Sequence, residues 1–271
     1  MLLAGSLLTL QILLNICSAP TDASLVSYPV DSSTEHCEPT CLLPNCFCGR
    51  GIPGDLTPHN TPQFVLLSFD DAVNDLNEDF YQRLFNSRLN PDGCPISATF
   101  FVSHEWTDYS QVHSLYRSGH EISSHSVTHT HPTGRDDRHW GRELAGQAEL
   151  LSRHALVEPS DITGSRAPFL ETGGDSMFRA LSQFGFLYDS SLPSSYQSPA
   201  LWPYTVHQGA RQPCSIPPCP VSSHPEVWEV PLTMMSDGMG GRCAMLDACR
   251  YHETVDSIQR MLTRNFIRNE N

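Results

Sequence analysis

The chain has 271 residues, of which 39% are hydrophobic and 17% charged, and this is enough apolar material for one globular α/β domain. Its formal net charge of −14 argues against nucleic acids and anionic membranes as partners. A neutral or cationic substrate fits this charge better than an acidic one.

The N-terminal stretch from Met1 to Ala19 is apolar and ends in small residues suited to signal peptidase. It is short for a membrane span and is interrupted by Ser and Asn, although it also lacks the usual Lys or Arg at its start. We therefore expect a signal peptide at residues 1–19, and a retained N-terminal anchor is the alternative. The predicted mature protein is secreted and extracellular, without a membrane segment.

Ten cysteines without a zinc-ribbon spacing favour a disulfide framework, as in secreted proteins. Removal of Cys17 with the signal peptide leaves nine, so one thiol is expected to lack a partner within the chain. The segment from Cys37 to Cys48 contains four cysteines, including these two, and zinc binding by this segment is the alternative to disulfide bonds. Residues 20–62 are therefore predicted to be a Cys-rich leader outside the core, and residues 63–271 to be the main domain.

The core is predicted to begin with the apolar run Phe64-Val65-Leu66-Leu67-Ser68-Phe69, a buried strand that stops at two adjacent acids, Asp70 and Asp71. Strands and helices then alternate along the chain. Further strands are predicted near 97–102, from 120, and near 162–165, 186–191 and 227–232. Helices are predicted near 75–88, 109–117, 136–154, 175–184 and 253–268. A Pro-rich, Cys-bearing insertion at about 192–225 is predicted to be irregular.

Alternation of strands and helices predicts an α/β fold with a mostly parallel sheet, either open or closed into a barrel. Several reactive residues directly follow predicted strands, and these are Asp70, Asp71, His125, His129, Arg166 and Asp189. In β/α barrels, catalytic groups collect at the mouth formed by the carboxyl ends of the strands. The positions of these residues therefore favour a barrel with its site at that mouth.

The pair His125-x3-His129 places two imidazoles one turn apart, and Asp71 would complete a site with two nitrogen ligands, one oxygen ligand and open positions. Zinc, or another divalent metal ion, is the expected cofactor. In a chain with 13 histidines, a solvated pair or a pair satisfied in the core is the alternative. The rival candidates for a ligand are His104, His120 and His131.

The two adjacent carboxylates are predicted to have different roles, because consecutive residues of a strand point to opposite sides. Asp71 is the candidate metal ligand, and Asp70 is the candidate base that accepts a proton from water during hydrolysis. Arg166 is predicted to lie beside Asp70, and Asp189 to orient Arg166. The alternatives are that Asp71 caps a helix while Asp70 is solvated, and that Arg166 lies on the surface before a proline turn.

With these motifs the chain resembles the polysaccharide deacetylase (NodB homology) family, and within it the invertebrate chitin deacetylase-like proteins that have no chitin-binding module. The resemblance spans about residues 37–268. It is carried by Ser68-Phe69-Asp70-Asp71, His125-Ser126-Val127-Thr128-His129, Arg166-Ala167-Pro168-Phe169, and Asp189 followed by Trp202-Pro203-Tyr204.

The resemblance implies a distorted (β/α)7 barrel that removes N-acetyl groups from chitin or chito-oligosaccharides with the help of zinc or a similar ion. The roles it implies are a base at Asp70, a holder of that base at Arg166, and metal ligands at Asp71, His125 and His129. Asp189 matches the fourth motif of the family. Phe169 and Trp202 are expected to contact the substrate, although a buried core position is the commoner fate of a tryptophan. A monomer is expected.

One motif of the family, a Leu-x-His whose histidine is the general acid, has no counterpart here. His207, His224 and His252 lie in different sequence contexts, and the chain ends in the helix that should precede the last strand. Together with the odd cysteine, this predicts a C-terminally truncated product whose barrel lacks its last strand. The second hypothesis is therefore a catalytically impaired chitin-binding or matrix-organising protein, and the third is an esterase acting on O-acetyl groups.

Overall fold

The structure is a computed structural model that describes residues 40–49, 51–54, 56–131, 134–194, 201–210, 214, 216–251 and 254–269. The predicted signal peptide at residues 1–19 lies outside the described residues. In the described part of the chain, every helix is too short or too polar to cross a bilayer.

Seven strands form one sheet in the order β1-β2-β3-β4-β5-β7-β6. They are β1 Ser68–Asp71, β2 Thr99–Val102, β3 Glu121–Ser124, β4 Gly164–Ser165, β5 Tyr188–Asp189, β6 Tyr204–Val206 and β7 His224–Glu229. All neighbours are parallel except β6 and β7, which are antiparallel. The predicted α/β class with a mostly parallel sheet is confirmed. A separate two-stranded ladder pairs β8 Met235–Ser236 with β9 Arg242–Cys243.

Helices form most of the connections between the strands. They are α1 Glu78–Phe85, α2 Tyr109–Arg117, α3 Asp137–Trp140, α4 Gly146–Ala155, α5 Asp175–Phe184 and α6 Val255–Asn269, with a π-helical segment, Gly141–Ala145, between α3 and α4. Helices α2 and α5 have the predicted bounds because local signals mark their ends. The Asp108 side chain accepts a hydrogen bond from the Ser110 amide at the start of α2, and Gly185 ends α5 with a φ of 76°.

The core consists of two large apolar clusters against the sheet. One cluster joins β2 and β3 to α2 and α4, and its fully buried members include Phe100, Val102, Val112, Ile122 and Leu151. The other joins α5 to β6 and β7 through residues that include Met177, Phe178, Leu181, Tyr204 and Val227. Burial of apolar side chains is the main term that stabilises such a sheet, so these clusters fix the positions of the strand ends.

The first core strand starts later than predicted. Strand β1 begins at Ser68, whereas residues 64–67 are irregular backbone with side chains between 37% and 55% exposed. The register with β2 pairs Asp70 with Phe101 and Asp71 with Val102, so both acids lie within the strand and not after it. An apolar run by itself does not show which part of it finds a pairing partner, and this accounts for the shift.

The leader, which was predicted to lie outside the core, and the insertion, which was predicted to be irregular, are both partly built into the core. The leader runs beside β6, where the Thr205 amide donates to the Phe47 carbonyl at 2.9 Å, and Phe47 and Cys48 are buried. The insertion at 192–225 contains β6 itself, which was predicted to be irregular. Strand β6 is at the edge of the sheet, so the leader backbone covers amide and carbonyl groups that would otherwise lack a partner.

Every described cysteine is disulfide-bonded, so the predicted disulfide framework is confirmed in the described part of the chain. Three of the bonds join described residues to each other, and they are Cys41–Cys46, Cys214–Cys219 and Cys243–Cys249. The predicted unpaired thiol is not among the described residues. The bond between Cys41 and Cys46 uses two of the thiolates that a zinc site in the leader would need.

Candidate active site

The side chains of Asp71, His125 and His129 lie together at the carboxyl ends of β1 and β3. His129 Nε2 is 3.0 Å from Asp71 Oδ1, and His125 Nε2 is 3.6 Å from the same oxygen. One candidate ligand atom from each residue lies within 4.8 Å of the other two. The spacing in the sequence predicts this grouping, and the role of the three residues as metal ligands stays a prediction.

The donor set of this group fits a divalent ion. His125 Nδ1 lies 2.8 Å from the Arg166 carbonyl oxygen, which can only accept, so Nδ1 carries the hydrogen and Nε2 has a free lone pair directed toward Asp71. Burial lowers the pKa of His125 and so favours the neutral ring that a metal ligand requires. Two imidazole nitrogens and one carboxylate oxygen with open positions suit zinc and similar ions.

Asp71 and His129 form the more exposed side of the group. Their hydrogen bond lowers the pKa of Asp71 and raises that of His129. The Asp71 side chain is 62% exposed, whereas that of His125 is almost completely buried. The group is therefore anchored in the fold at His125 and open to solvent at Asp71, which is the arrangement that a ligand entering from solution requires.

A separate carboxylate, Asp70, is held by the buried Arg166. Arg166 Nη1 donates to Asp70 Oδ1 at 2.6 Å and to Ser68 Oγ at 3.0 Å, while Nε and Nη2 donate to the Ser190 carbonyl and hydroxyl oxygens at 2.7 and 2.9 Å. The guanidinium lies 4.0 Å above the centre of the Phe101 ring. The predicted neighbourhood of Arg166 and Asp70 is present, and the alternative of a surface arginine is wrong because its side chain is only 2% exposed.

Asp189 does not orient Arg166 directly, and this prediction is wrong. The Asp189 carboxylate accepts hydrogen bonds from the Ser165 hydroxyl at 3.1 Å and from the Ser191 hydroxyl and amide at 2.9 and 3.0 Å. The neighbouring residue, Ser190, bonds Arg166 instead. Asp189 is part of β5, where alternate residues point to opposite sides, so Asp189 and Ser190 face different partners.

Glu229, at the end of β7, is a partner of Asp189 that the sequence did not reveal. Both side chains are completely buried, and Glu229 Oε1 accepts a hydrogen bond from the Leu192 amide at 2.9 Å. Burial raises the pKa of Asp189 to about 6 and that of Glu229 well above its usual value. The two residues are register partners on the adjacent strands β5 and β7, and the negative charge of Asp189 adds to the effect of burial on the pKa of Glu229. Glu229 is therefore the acid of the pair that holds its proton more tightly.

We expect Glu229→Gln to flatten the dependence of stability on pH. The folded-state pKa values of both acids are raised, so the folded chain binds more protons than the unfolded chain. The contribution of these protons to the free energy of unfolding is complete below about pH 4 and is lost as the pH rises through the folded-state pKa values. The loss is at most about 1.4 kcal/mol per pH unit for each proton. Gln has nearly the same size and shape as Glu but does not titrate.

Urea unfolding from about pH 4 to pH 8 measures this slope. The exposed Glu226, on the same strand, provides the matched control Glu226→Gln. Equal slopes for Glu229→Gln and the unaltered chain would show that Glu229 does not hold a proton in the folded state.

Glu143 supports the loop between the two histidines, and this role was also not predicted from the sequence. Its carboxylate accepts hydrogen bonds from the Val127 and Thr128 amides at 3.1 and 2.8 Å and from the Thr128 hydroxyl at 3.0 Å. Glu143 is buried and belongs to the π-helical segment between α3 and α4. In the sequence Glu143 is an acid within a predicted amphipathic helix, and such an acid usually lies on the solvated face. A π-helical turn, which changes the face that a residue occupies, cannot be recognised from periodicity.

We expect Glu143→Gln to weaken zinc binding by about 10- to 100-fold, as is usual when a residue that supports metal ligands is altered. The neutral carboxamide loses the charge of the oxygen that accepts from both the Val127 and Thr128 amides, and its NH2 group replaces the oxygen that accepts from the Thr128 hydroxyl. The loop from His125 to His129 would therefore lose part of its support. Competition with a chromophoric chelator measures the affinity. The exposed Glu149, on α4, gives the control Glu149→Gln, and equal affinities of the two variants would exclude a supporting role for Glu143.

The two predicted substrate contacts lie in different surroundings. The Phe169 ring lies 4.7 Å from the His129 ring and is stacked on His131 at 4.0 Å, so it is beside the candidate metal group. The Trp202 ring contacts Phe64 at 6.3 Å, and the Trp202 amide donates to the Gly49 carbonyl. The contacts described for Trp202 are thus with the leader and the lead-in to β1, and not with the metal group.

The other candidate histidines are engaged elsewhere. Among the described residues, the group around Asp71 includes no histidine besides His125 and His129. The remaining contacts are His104 with Tyr109, His120 with the Ala98 amide, His131 with Glu171, His207 with Cys46 and Thr205, and His224 with Asp175. His252 lies outside the described residues.

Comparison with known proteins points to one family. Residues 58–188 match the family described as polysaccharide deacetylase. Chitin deacetylase 1 of Bombyx mori is 36% identical over 275 residues, which cover 94% of this chain and 49% of that protein. Chitin deacetylase 8 of Bombyx mori is 37% identical over 240 residues, which cover 86% of this chain and 63% of that protein. The chain thus spans about half to somewhat under two thirds of the length of these relatives.

Among solved structures, the family 4 carbohydrate esterase from Streptomyces lividans in complex with acetate is 20% identical, with a TM-score of 0.38 over 48% of this chain and 63% of that chain. The sequence match to the two Bombyx mori proteins extends over most of the chain. The match to the polysaccharide deacetylase family at residues 58–188 spans Asp70, Asp71, His125, His129 and Arg166. On these grounds the chain belongs to the polysaccharide deacetylase family.

Proposed function

We propose that this chain is a secreted, metal-dependent hydrolase that removes N-acetyl groups from chitin or chito-oligosaccharides. The observation that carries the proposal is a potential metal group, Asp71, His125 and His129, beside a separate carboxylate, Asp70, held by Arg166. The identity to two chitin deacetylases supports chitin as the substrate, and the disulfide bonds support an extracellular location.

Asp71, His125 and His129 would hold the divalent ion, for which zinc is the proposed identity. When bound, such an ion supplies a Lewis acid that polarises a carbonyl group and increases the acidity of water. His125 is kept in the required tautomer by the Arg166 carbonyl, and His129 is held by the loop that Glu143 supports.

Asp70 acts as the general base in this proposal. Arg166 occupies its Oδ1, so Oδ2 is the oxygen that accepts the proton of the attacking water. The water oxygen bonds to the acetyl carbon and the carbon–nitrogen bond breaks. The leaving nitrogen takes up a proton from Asp70 or from solvent, and the products are acetate and the amine of glucosamine. Arg166 and its bonds to Ser190 fix the direction of the carboxylate during this step.

One observation favours the alternative of a chitin-binding protein with impaired catalysis. His207 and His224 contact Cys46 and Asp175 respectively, so neither of these described histidines is placed to protonate the leaving amine. In that case the chain would bind metal and chito-oligosaccharide without releasing acetate.

Acetate release from chitin oligomers by the purified chain, with and without a chelator, tests the proposed function. We expect release that the chelator abolishes and added zinc restores. Binding of oligomers without acetate release would support the impaired protein. Release from an O-acetylated polysaccharide but not from chitin would support the esterase.

A further inference from the structure

Strained backbone is concentrated at the carboxyl ends of β1 to β4. Six of the eight described non-glycine residues with positive φ lie there, and they are Asp71, Trp106, Ser126, His129, Phe169 and Leu170. Such conformations are unfavourable and persist where the surrounding structure enforces them, often at functional sites. Two of the six are proposed metal ligands and one is a proposed substrate contact. Trp106, with a φ of 65°, is the largest side chain of the group.

The turn that carries Trp106 is attached to the end of β1, next to the candidate metal ligand Asp71. The Ser103 amide donates to the Asp71 carbonyl at 3.3 Å, the Asn74 side chain donates to the Trp106 carbonyl at 3.0 Å, and the Asp108 amide donates to the Val73 carbonyl at 2.8 Å. The backbone of the turn is therefore held in place from both sides.

The indole of Trp106 is nevertheless 83% exposed. A fixed backbone with an exposed aromatic ring means that packing of the core does not account for this tryptophan. Trp140, by contrast, is almost completely buried in the cluster around α5. The exposed ring presents a flat apolar surface that is already oriented, so little conformational entropy is lost when a ligand covers it.

The groups around Trp106 favour a sugar as its ligand. Asp75, His104 and Glu105 are exposed polar residues close to it in the two loops, and Asn74 is partly exposed. A pyranose ring has an apolar C–H face and an edge of hydroxyl groups, so it can cover an indole while its hydroxyls bond to polar neighbours. The net charge of −14 also fits a neutral polymer.

We propose that Trp106 is a stacking platform for one pyranose ring of a chitin chain, beside the sugar unit whose acetyl group lies at the metal group. This inference rests on the proposed function and adds a determinant of substrate length to it. Trp106 follows β2 and Phe169 follows β4, so both aromatic residues follow the carboxyl ends of strands at the edge of the sheet where the metal group lies. A longer oligomer reaches the platform, whereas a short one occupies only the units next to the reacting acetyl group.

The test compares Trp106→Ala with the unaltered chain on chitobiose and on chitopentaose. We expect kcat/KM for the pentamer to fall about tenfold through KM, with kcat retained and with little change for the dimer. Trp106→Tyr, which keeps an aromatic ring, should recover most of the lost affinity. Leu76→Ala is the matched control, because Leu76 is an equally exposed apolar residue in the neighbouring loop.

Equal length dependence in Trp106→Ala and the unaltered chain would overturn the inference. An effect of Leu76→Ala as large as that of Trp106→Ala would also overturn it, since it would indicate a general apolar surface shared with Leu76 and Phe80. If Trp106→Ala lost self-association in sedimentation experiments while its KM was unchanged, the ring would belong to a protein interface instead.

Binding of chitopentaose by equilibrium titration separates this inference from the proposed function. If the unaltered chain binds the pentamer without releasing acetate, and Trp106→Ala binds it about tenfold more weakly, the platform stands and the hydrolase proposal fails. If the unaltered chain releases acetate and Trp106→Ala binds and turns over the pentamer equally well, the platform fails alone. Absence of both binding and turnover in the unaltered chain contradicts both.

Discussion

Asp70→Asn is expected to reduce acetate release from chitin oligomers by about 10²- to 10⁴-fold, the range by which general bases contribute to catalysis. The amide oxygen can still accept the hydrogen bond from Arg166 Nη1, so the buried guanidinium keeps a partner and the strand keeps its register with β2. What the variant lacks is an oxygen that can accept a proton from water. Steady-state acetate release and zinc content, measured on the same preparation, test this expectation.

The control for this variant is Asp79→Asn, which makes the same chemical change at an exposed carboxylate on α1. It should leave acetate release nearly unchanged. Full activity of Asp70→Asn would exclude Asp70 as the base. A loss of zinc together with activity would mean that Asp70 supports the metal group and does not act separately from it.

His125→Ala is expected to weaken zinc binding by more than about 100-fold and to abolish acetate release. The His125 side chain is almost completely buried, and its Nδ1 hydrogen bond to the Arg166 carbonyl directs Nε2 toward Asp71. Removal of the ring leaves two of the three potential ligands, and both of these are more exposed than His125. Zinc stoichiometry and competition with a chelator measure the effect.

His131→Ala is the control, because His131 was a rival candidate and lies near the group without belonging to it. Its zinc content should equal that of the unaltered chain. If His125→Ala retained the zinc stoichiometry and affinity of the unaltered chain, the ligand assignment would be wrong, whatever its activity. Thermal unfolding of both variants in excess chelator separates loss of the ligand from loss of the fold.

The fold class and most of the helices could be predicted because their signals are local. Alternating strand and helix patterns indicate a parallel sheet, and the ends of α2 and α5 are marked by Asp108 and Gly185 through interactions within one turn. The grouping of Asp71, His125 and His129 was also predictable, since parallel strands deliver the residues at their carboxyl ends to one edge of the sheet.

The partners of buried polar groups were not predictable from the chain. Glu143 bonds a loop fifteen residues earlier, Glu229 reaches Asp189 from another strand, and Ser190 holds Arg166 where Asp189 was expected to do so. The start of β1 and the burial of the leader against β6 were missed for the same reason. Capping residues and periodicity act within a few residues of each other, so they can be recognised in the sequence. Strand register, burial and hydrogen-bond partners depend on which distant segments pack together, and only the tertiary structure determines this.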